Sequence, residues 1–352
     1  MSIESAAGTR SDNSLRSIVR PNAHASMRSL GALLLLAVMW GLSIPVTKLG
    51  LATMPPLTLT ALRFAIAVPL LFLLLVGRQR LPLRAFPRVA ALGVLGIGVG
   101  QVTQTLGVVG CSASAGTIIS ATIPLFIVIF AALRLKQAVS GRQALGLLAA
   151  FVGIALVASG NGGEAAVASK TTLAGVALLL LSALTIAFYY VWSIELTNSY
   201  GTATVAAWST LSGFVVLLPW AGWEMWRVPF HLTAEAVGAG AYLGVVVTAA
   251  GLFLWLHLLR IVPARTAASV QYLQPIVGIT ASAAMFGDKL GYLFIAGVIL
   301  VLAGLALSPW PRGAKVQATC KDRPRSATLF RIRLCDVMGP GRLWRFRQRR
   351  NR

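Results

Sequence analysis

The chain has 352 residues, 57% of them hydrophobic and only 11% charged, yet it carries a net charge of +22. A soluble domain is about a quarter charged, so there is too little polar surface here to cover a water-exposed fold. The long runs are apolar on every side, which excludes a transmembrane barrel built of alternating segments about ten residues long.

Taken in order, residues 1–28 are polar, with no short apolar region and small-residue cleavage site. They are expected to stay as a cytoplasmic tail. Apolar runs long enough to cross a bilayer as helices then fall at 29–49, 57–77, 88–109, 113–133, 143–160, 171–194, 203–222, 237–259, 266–286 and 291–309. The expected fold class is therefore an all-α polytopic membrane protein with ten transmembrane helices. Positive charge alternates along the connections. Arg10, Arg16, Arg20 and Arg28 precede span 1; Arg78, Arg80, Arg84 and Arg88 follow span 2. Arg134, Lys136 and Arg142 follow span 4, and Arg260 and Arg265 follow span 8. The opposite links hold at most one cation each: none after span 3, Lys170, Arg227 and Lys289. The link after span 6, TNSYGTA, is uncharged. Ten spans with both termini in the cytoplasm satisfy this bias.

Shifted by 151 residues, the chain superposes Gly93 on Gly244, Gly100 on Gly251, Pro124 on Pro275, Gly146 on Gly297 and Gly153 on Gly304. Glycine and proline fix backbone geometry, so these matches carry more weight than apolar coincidences. Five spans per copy is odd, so the second copy enters the membrane from the other side. The domains expected are a first repeat at 29–160, an external linker at 161–170 and an inverted second repeat at 171–309. Such a pair supplies two packings of the same halves, each open to one face.

Several segments resemble the EamA family of the drug/metabolite transporter superfamily. They are WGLSIPVTKLGL (40–51), PPLTLTALRFAIA (55–67) and AASVQYLQPIVGITASAAMFGDKLGYLFIAGVILVLAGLAL (267–307). The resemblance covers about residues 29–309. It implies transport of small metabolites, amino acids or drugs across the inner membrane of a bacterium, commonly outward, with a cavity between the halves. Family members often carry Gly-Glu after span 4; here that place reads Leu135-Lys136-Gln137, while the second copy keeps Gly287-Asp288. A family Glu before the span-9 proline is Gln274 here.

Prolines inside spans 4 and 9 free the carbonyls of Ser120 and Gln271, which lipid cannot satisfy. Helix distortion is thus expected at Pro124 and Pro275, facing a wet cavity; the alternative is that Gln271 and Gln274 only tie helices together. Spacing of three puts Gln101 with Gln104, Trp40 with Ser43, and Tyr189 with Trp192 on shared helix faces. Trp255 is the repeat mate of Gln104. These ten residues (Trp40, Ser43, Gln101, Gln104, Ser120, Tyr189, Trp192, Trp255, Gln271 and Gln274) form the expected substrate-binding set, each aromatic having helix packing or the interfacial belt as its plainer alternative. His257 is expected to pack rather than relay protons. Lys48 and Arg63, near the outer ends of spans 1 and 2, are expected to snorkel to the interface, with attraction of an anion as the alternative. The glycines of spans 5 and 10 are expected to permit close helix contact.

No acid is expected at mid-membrane, where pumps keep proton carriers, so an uncoupled facilitator is favoured over antiport. Cys111, Cys320 and Cys335 make neither a disulfide framework nor a metal cluster, and no cofactor or metal is expected. Residues 309–352 hold 13 Lys/Arg against two acids, a net +11 and half of the total. Without a nucleic-acid motif, segment 310–352 reads as an unstructured cytoplasmic tail whose partner is the bilayer, anionic lipid in particular. The main reading is a secondary transporter or facilitator of a small-molecule solute. The alternatives are a membrane sensor or assembly subunit acting through that tail and, less supported, an intramembrane enzyme, for which no catalytic constellation is present.

Overall fold

A helix satisfies every backbone N–H and C=O within its own segment, so long apolar runs in hydrocarbon can be little else. The computed structural model describes residues 23–76, 81–135, 141–159, 171–261, 273–288 and 290–307, and among these no strand occurs. Of the two units into which the chain divides, Met1–Arg312 and Gly313–Arg352, the described residues all lie in the first.

Every expected span holds helix. Seven are long and apolar enough to cross a membrane: Ser29–Gly50, Pro56–Leu73, Phe86–Val109, Ala113–Arg134, Leu173–Tyr200, Thr202–Arg227 and Ala234–Leu258, which are spans 1–4 and 6–8. Spans 5, 9 and 10 contain shorter apolar helices, Ala144–Val157, Leu273–Phe286 and Tyr292–Gly304. The TNSYGTA link shrinks to Gly201 alone, because span 6 runs on to Tyr200 and span 7 starts at Thr202. Polar residues extend that helix by bonding back to it: Thr197 Oγ1 donates to Ile194 O (2.9 Å) and Ser199 Oγ to Glu195 O (3.0 Å).

Several spans are irregular. Span 4 breaks into Ala113–Ser120 and Ile123–Leu135, with Pro124 in the first turn of the second piece, as its missing N–H requires. Span 1 breaks between Gly41 and Ser43. Spans 3 and 8 each carry a π-helical stretch, Gly93–Val99 and Tyr242–Gly251, at matching places in the two repeats. Pro275 lies buried in the first described turn of span 9, whose upstream residues 262–272 fall outside the described set.

The packing repeats across the two halves. Span 1 lies against spans 8 and 9, and span 6 against spans 3 and 4, so the first helix of each repeat is exchanged onto the other half. Span 2 packs on spans 7 and 8, span 7 on spans 2 and 3, and span 5 on span 10. In this last pair Gly153 faces Gly297, and Gly146 faces Gly304. Each contact joins a residue to the repeat mate of the other contact's residue, and the order runs antiparallel. Both are what a two-fold axis in the membrane plane demands.

Buried polar contacts secure the helix ends. Glu224, at the end of span 7, accepts from the Thr58 N–H (2.7 Å) and hydroxyl (2.9 Å) in the first turn of span 2. Its negative charge meets the positive end of that helix. Asp288 Oδ2 accepts from Ser114 N–H (2.9 Å) at the start of span 4, next to the cap that Ser112 provides. Lys48 does not simply snorkel. Its Nζ donates to the carbonyls of Val108 (3.0 Å) and Cys111 (2.7 Å), capping the end of span 3. Four unbonded carbonyls end every helix, and they hold the ammonium more specifically than a headgroup would.

Candidate functional site

A cavity of about 70 Å³ lies where spans 1, 2, 3, 4, 6, 8 and 9 meet, with both repeats in its wall. That is room for several water molecules. Three rings form one side. Trp40 stacks on Tyr190 (centroids 6.1 Å apart, planes at 10°), and Trp255 stands tilted against both, at 5.5 Å and 5.7 Å. Trp40 is held in place by its Nε1, which donates to Val247 O in the π-helical part of span 8 (3.2 Å). Ser43 lines the cavity one turn on, its hydroxyl donating to Trp40 O (2.6 Å).

The opposite chemistry comes from amides and one cation. Gln101 and Gln104 of span 3 and Gln274 of span 9 line the cavity, as does Pro124 at the span-4 break. Arg63 joins them from span 2, only 4% exposed, with Nε donating to Thr248 Oγ1 (2.5 Å). Thr248 in turn donates to Leu243 O, five residues back (2.8 Å), the reach a π-helical turn provides. Apolar contacts come from Ile97, Ile123, Ile127, Ile186, Val247 and Leu252. No acidic side chain lines the cavity among the described residues.

Two cavity atoms are buried without a hydrogen-bond partner among the described residues: the side-chain oxygen of Gln101 and Nε1 of Trp255. Each such orphan costs about 1–3 kcal/mol. That is a large cost for a structural interior and an ordinary one for a place that receives a ligand.

Of the expected set, Trp40, Ser43, Gln101, Gln104, Trp255 and Gln274 come together around this cavity. Three others do not. Tyr189 turns away, its hydroxyl 2.9 Å from Ser209 Oγ and its side chain pressed on Gly96. Trp192 stacks on Phe188 (4.1 Å) with the Arg134 guanidinium 5.5 Å from its ring. Ser120 is buried outside the lining. Gln271 lies outside the described residues. His257 is exposed and stacked on Phe253 (6.1 Å), not part of the cavity wall.

Sequence reasoning missed Tyr190 and Thr248, and carried Arg63 as a snorkelling residue with attraction of an anion only as the alternative. A charge inside an apolar span is itself a signal of function, but a stem long enough to reach the interface made snorkelling the plainer reading of Arg63. Tyr190 needed only one residue of helical rotation from the expected Tyr189.

The cavity wall is also paired by the 151-residue shift. Ile97 matches Thr248, Gln101 matches Leu252, Gln104 matches Trp255 and Ile123 matches Gln274, all eight lining the chamber. The two repeats meet at one site and furnish it with unlike side chains.

Comparison with known proteins agrees with this architecture. An uncharacterized transporter of Archaeoglobus fulgidus is 25% identical over 279 residues, covering 79% of this chain and 98% of its own. The inner membrane transporter YedA of Escherichia coli K12, also uncharacterized, is 27% identical over 293 residues, 79% of this chain and 92% of its own. A probable amino-acid metabolite efflux pump of Salmonella typhimurium is 26% identical over 302 residues, 82% and 96%. One crystal structure superposes with a TM-score of 0.57 at 17% identity, over 80% of this chain and 96% of that one, a likeness of fold alone. The EamA-like transporter family matches residues 27–159 and again 173–309, once for each repeat. With both halves matched and a chamber between them, this multi-pass membrane protein belongs to the EamA-like transporter family.

Proposed function

We propose that this transporter carries a small organic solute outward across the inner membrane by alternating access, as a facilitator, through the chamber shared by its two repeats. The observation that carries the reading is the position of the cavity. It sits on the seam between inverted repeats, beside the proline break of span 4, and is lined from both halves. Exchange of the repeats between their two packings would open it to one face and then the other. The names of the Escherichia coli and Salmonella relatives, an inner membrane transporter and a probable efflux pump for amino-acid metabolites, support the membrane and the direction. Both termini are then cytoplasmic, with 310–352 a basic tail against anionic lipid. A cavity wall without carboxylates among the described residues supports uncoupled movement over coupling through His257 or another route.

The test is counterflow and efflux of a metabolite library in proteoliposomes, comparing wild type with Trp255→Ala and Gln104→Ala. At least one solute should move, and both substitutions should slow it at least roughly tenfold, as loss of a buried contact of about 1.4 kcal/mol does. If neither changes the flux of any solute that wild type moves, the chamber is not the route. Removing 310–352 should leave flux per molecule unchanged; complete loss would favour a docking role for the tail.

A further inference from the structure

We propose that Arg63 is the carboxylate-recognising residue of the chamber, and that the solutes carried bear a single carboxylate, an apolar body and at least one N–H or O–H donor. This rests on the transport reading above and names the class of solute.

A guanidinium is always charged and offers five N–H donors in a planar fork. Arg63 lies in the apolar interior of span 2, where an unpaired charge is costly. Its Nε is committed to Thr248, a neutral partner that fixes the plane of the fork without neutralising it. Four N–H donors remain on the two terminal nitrogens, the pair that grips a carboxylate side by side.

Among the described residues no acid lines the chamber as a counter-anion for Arg63. Glu224 is committed to Thr58, Asp288 to Ser114, Glu195 pairs with Arg134 (2.7 Å), and Glu235 lies in the first turn of span 8. These are all of the acids among the described residues. A cation buried in a solute chamber and lacking a protein partner of opposite charge is best completed by the solute. Arg63 is the single cation in the described lining, which suits one carboxylate better than a doubly charged phosphate.

The two orphaned atoms extend the match. Trp255 Nε1 is a second donor in search of an acceptor, while the Gln101 oxygen requires a donor from the solute. The isoleucines and the Trp40–Tyr190–Trp255 rings take the apolar body.

Binding to the purified full-length protein in detergent tests this with matched probes. Phenylacetate should bind at least tenfold tighter than phenylacetamide. Also, 2-hydroxy-4-methylpentanoate should bind severalfold tighter than 4-methylpentanoate. Arg63→Gln should abolish the first preference and Gln101→Leu the second, while Thr248→Val, which frees the fork to swing, should reduce the first. Phenylphosphonate should bind more weakly than phenylacetate. The proposal is overturned if wild type binds the amide as well as the acid, prefers the phosphonate, or binds neither acid at millimolar concentration. It is equally overturned if a folded Arg63→Gln keeps the preference. Should Arg63→Gln not fold, the wild-type comparison and Thr248→Val still decide. Failure of the carboxylate preference alongside counterflow of some other solute sinks only this inference; absence of any flux sinks the transport reading.

Discussion

Replacing Gly297 with alanine should force spans 5 and 10 apart. A Cβ built there falls 2.6 Å from Gly153 O, 2.8 Å from Val157 Cγ2 and 3.0 Å from Val157 N. Two of these three neighbours are backbone atoms, so a change of rotamer cannot relieve the overlap. Reaching an ordinary 3.4 Å contact moves the helices about 0.8 Å apart at this point. Overpacking of that kind costs about 1–3 kcal/mol, measurable as reversible unfolding in mixed micelles. Gly153→Ala meets Gly297 O at 2.7 Å and should cost a similar amount. The double variant should cost less than the sum, because one widening of the seam relieves both. Gly222→Ala is the control: its Cβ would meet nothing within 4 Å, so it should be neutral or stabilise by up to about 1 kcal/mol. Among the described residues neither span 5 nor span 10 lines the cavity, so flux per folded molecule should stay near wild type. Wild-type stability for Gly297→Ala, or full additivity in the double variant, would refute the reciprocal glycine seam.

Three further outcomes are expected. Glu224→Gln removes the charge from two buried hydrogen bonds at the start of span 2 and should destabilise the protein by about 1–3 kcal/mol; unchanged unfolding in the same assay would count against the cap. Burial pushes the Cys111 thiol up to about 11, against the weaker opposing pull of Lys48. The unreactive thiol form therefore persists until the pH rises through about 11. With Cys320 and Cys335 replaced by serine, maleimide labelling of Cys111 should stay slow at neutral pH and become fast on unfolding, whereas rapid labelling of the folded protein would contradict its burial. His257→Ala should leave the pH profile of transport unchanged, since the imidazole lies outside the cavity wall. A shifted profile would restore it as a proton carrier.

Much of the fold was legible because membrane insertion rewards one property, apolar length, that sequence displays directly. The repeat was legible through residues whose backbones tolerate no substitute, as Pro124 and the glycines of spans 5 and 10 illustrate. The site was harder to read, for two reasons. Helical rotation decides which of two adjacent tyrosines faces the chamber, and spacing alone paired Tyr189 with Trp192 although the packing of spans 3 and 4 claims both. The place of Arg63 depends on Thr248, 185 residues further along the chain. No local pattern in span 2 reports that partner. The π-helical stretches likewise coincide with the glycines that marked the repeat, yet a glycine-rich run says nothing of a five-residue hydrogen-bond reach until its neighbours are known.

The four mate pairs lining the chamber bear on more than recognition. Two identical copies facing opposite ways would make the inside-open and outside-open forms equivalent by the two-fold rotation, equal in free energy and equally occupied at rest. Setting Thr248 opposite Ile97 and Trp255 opposite Gln104 removes that degeneracy, and an imbalance of about 1.4 kcal/mol already gives a tenfold resting bias. In the proposed cycle the two membrane faces would then meet different apparent affinities, although an uncoupled carrier still moves net solute only down its gradient.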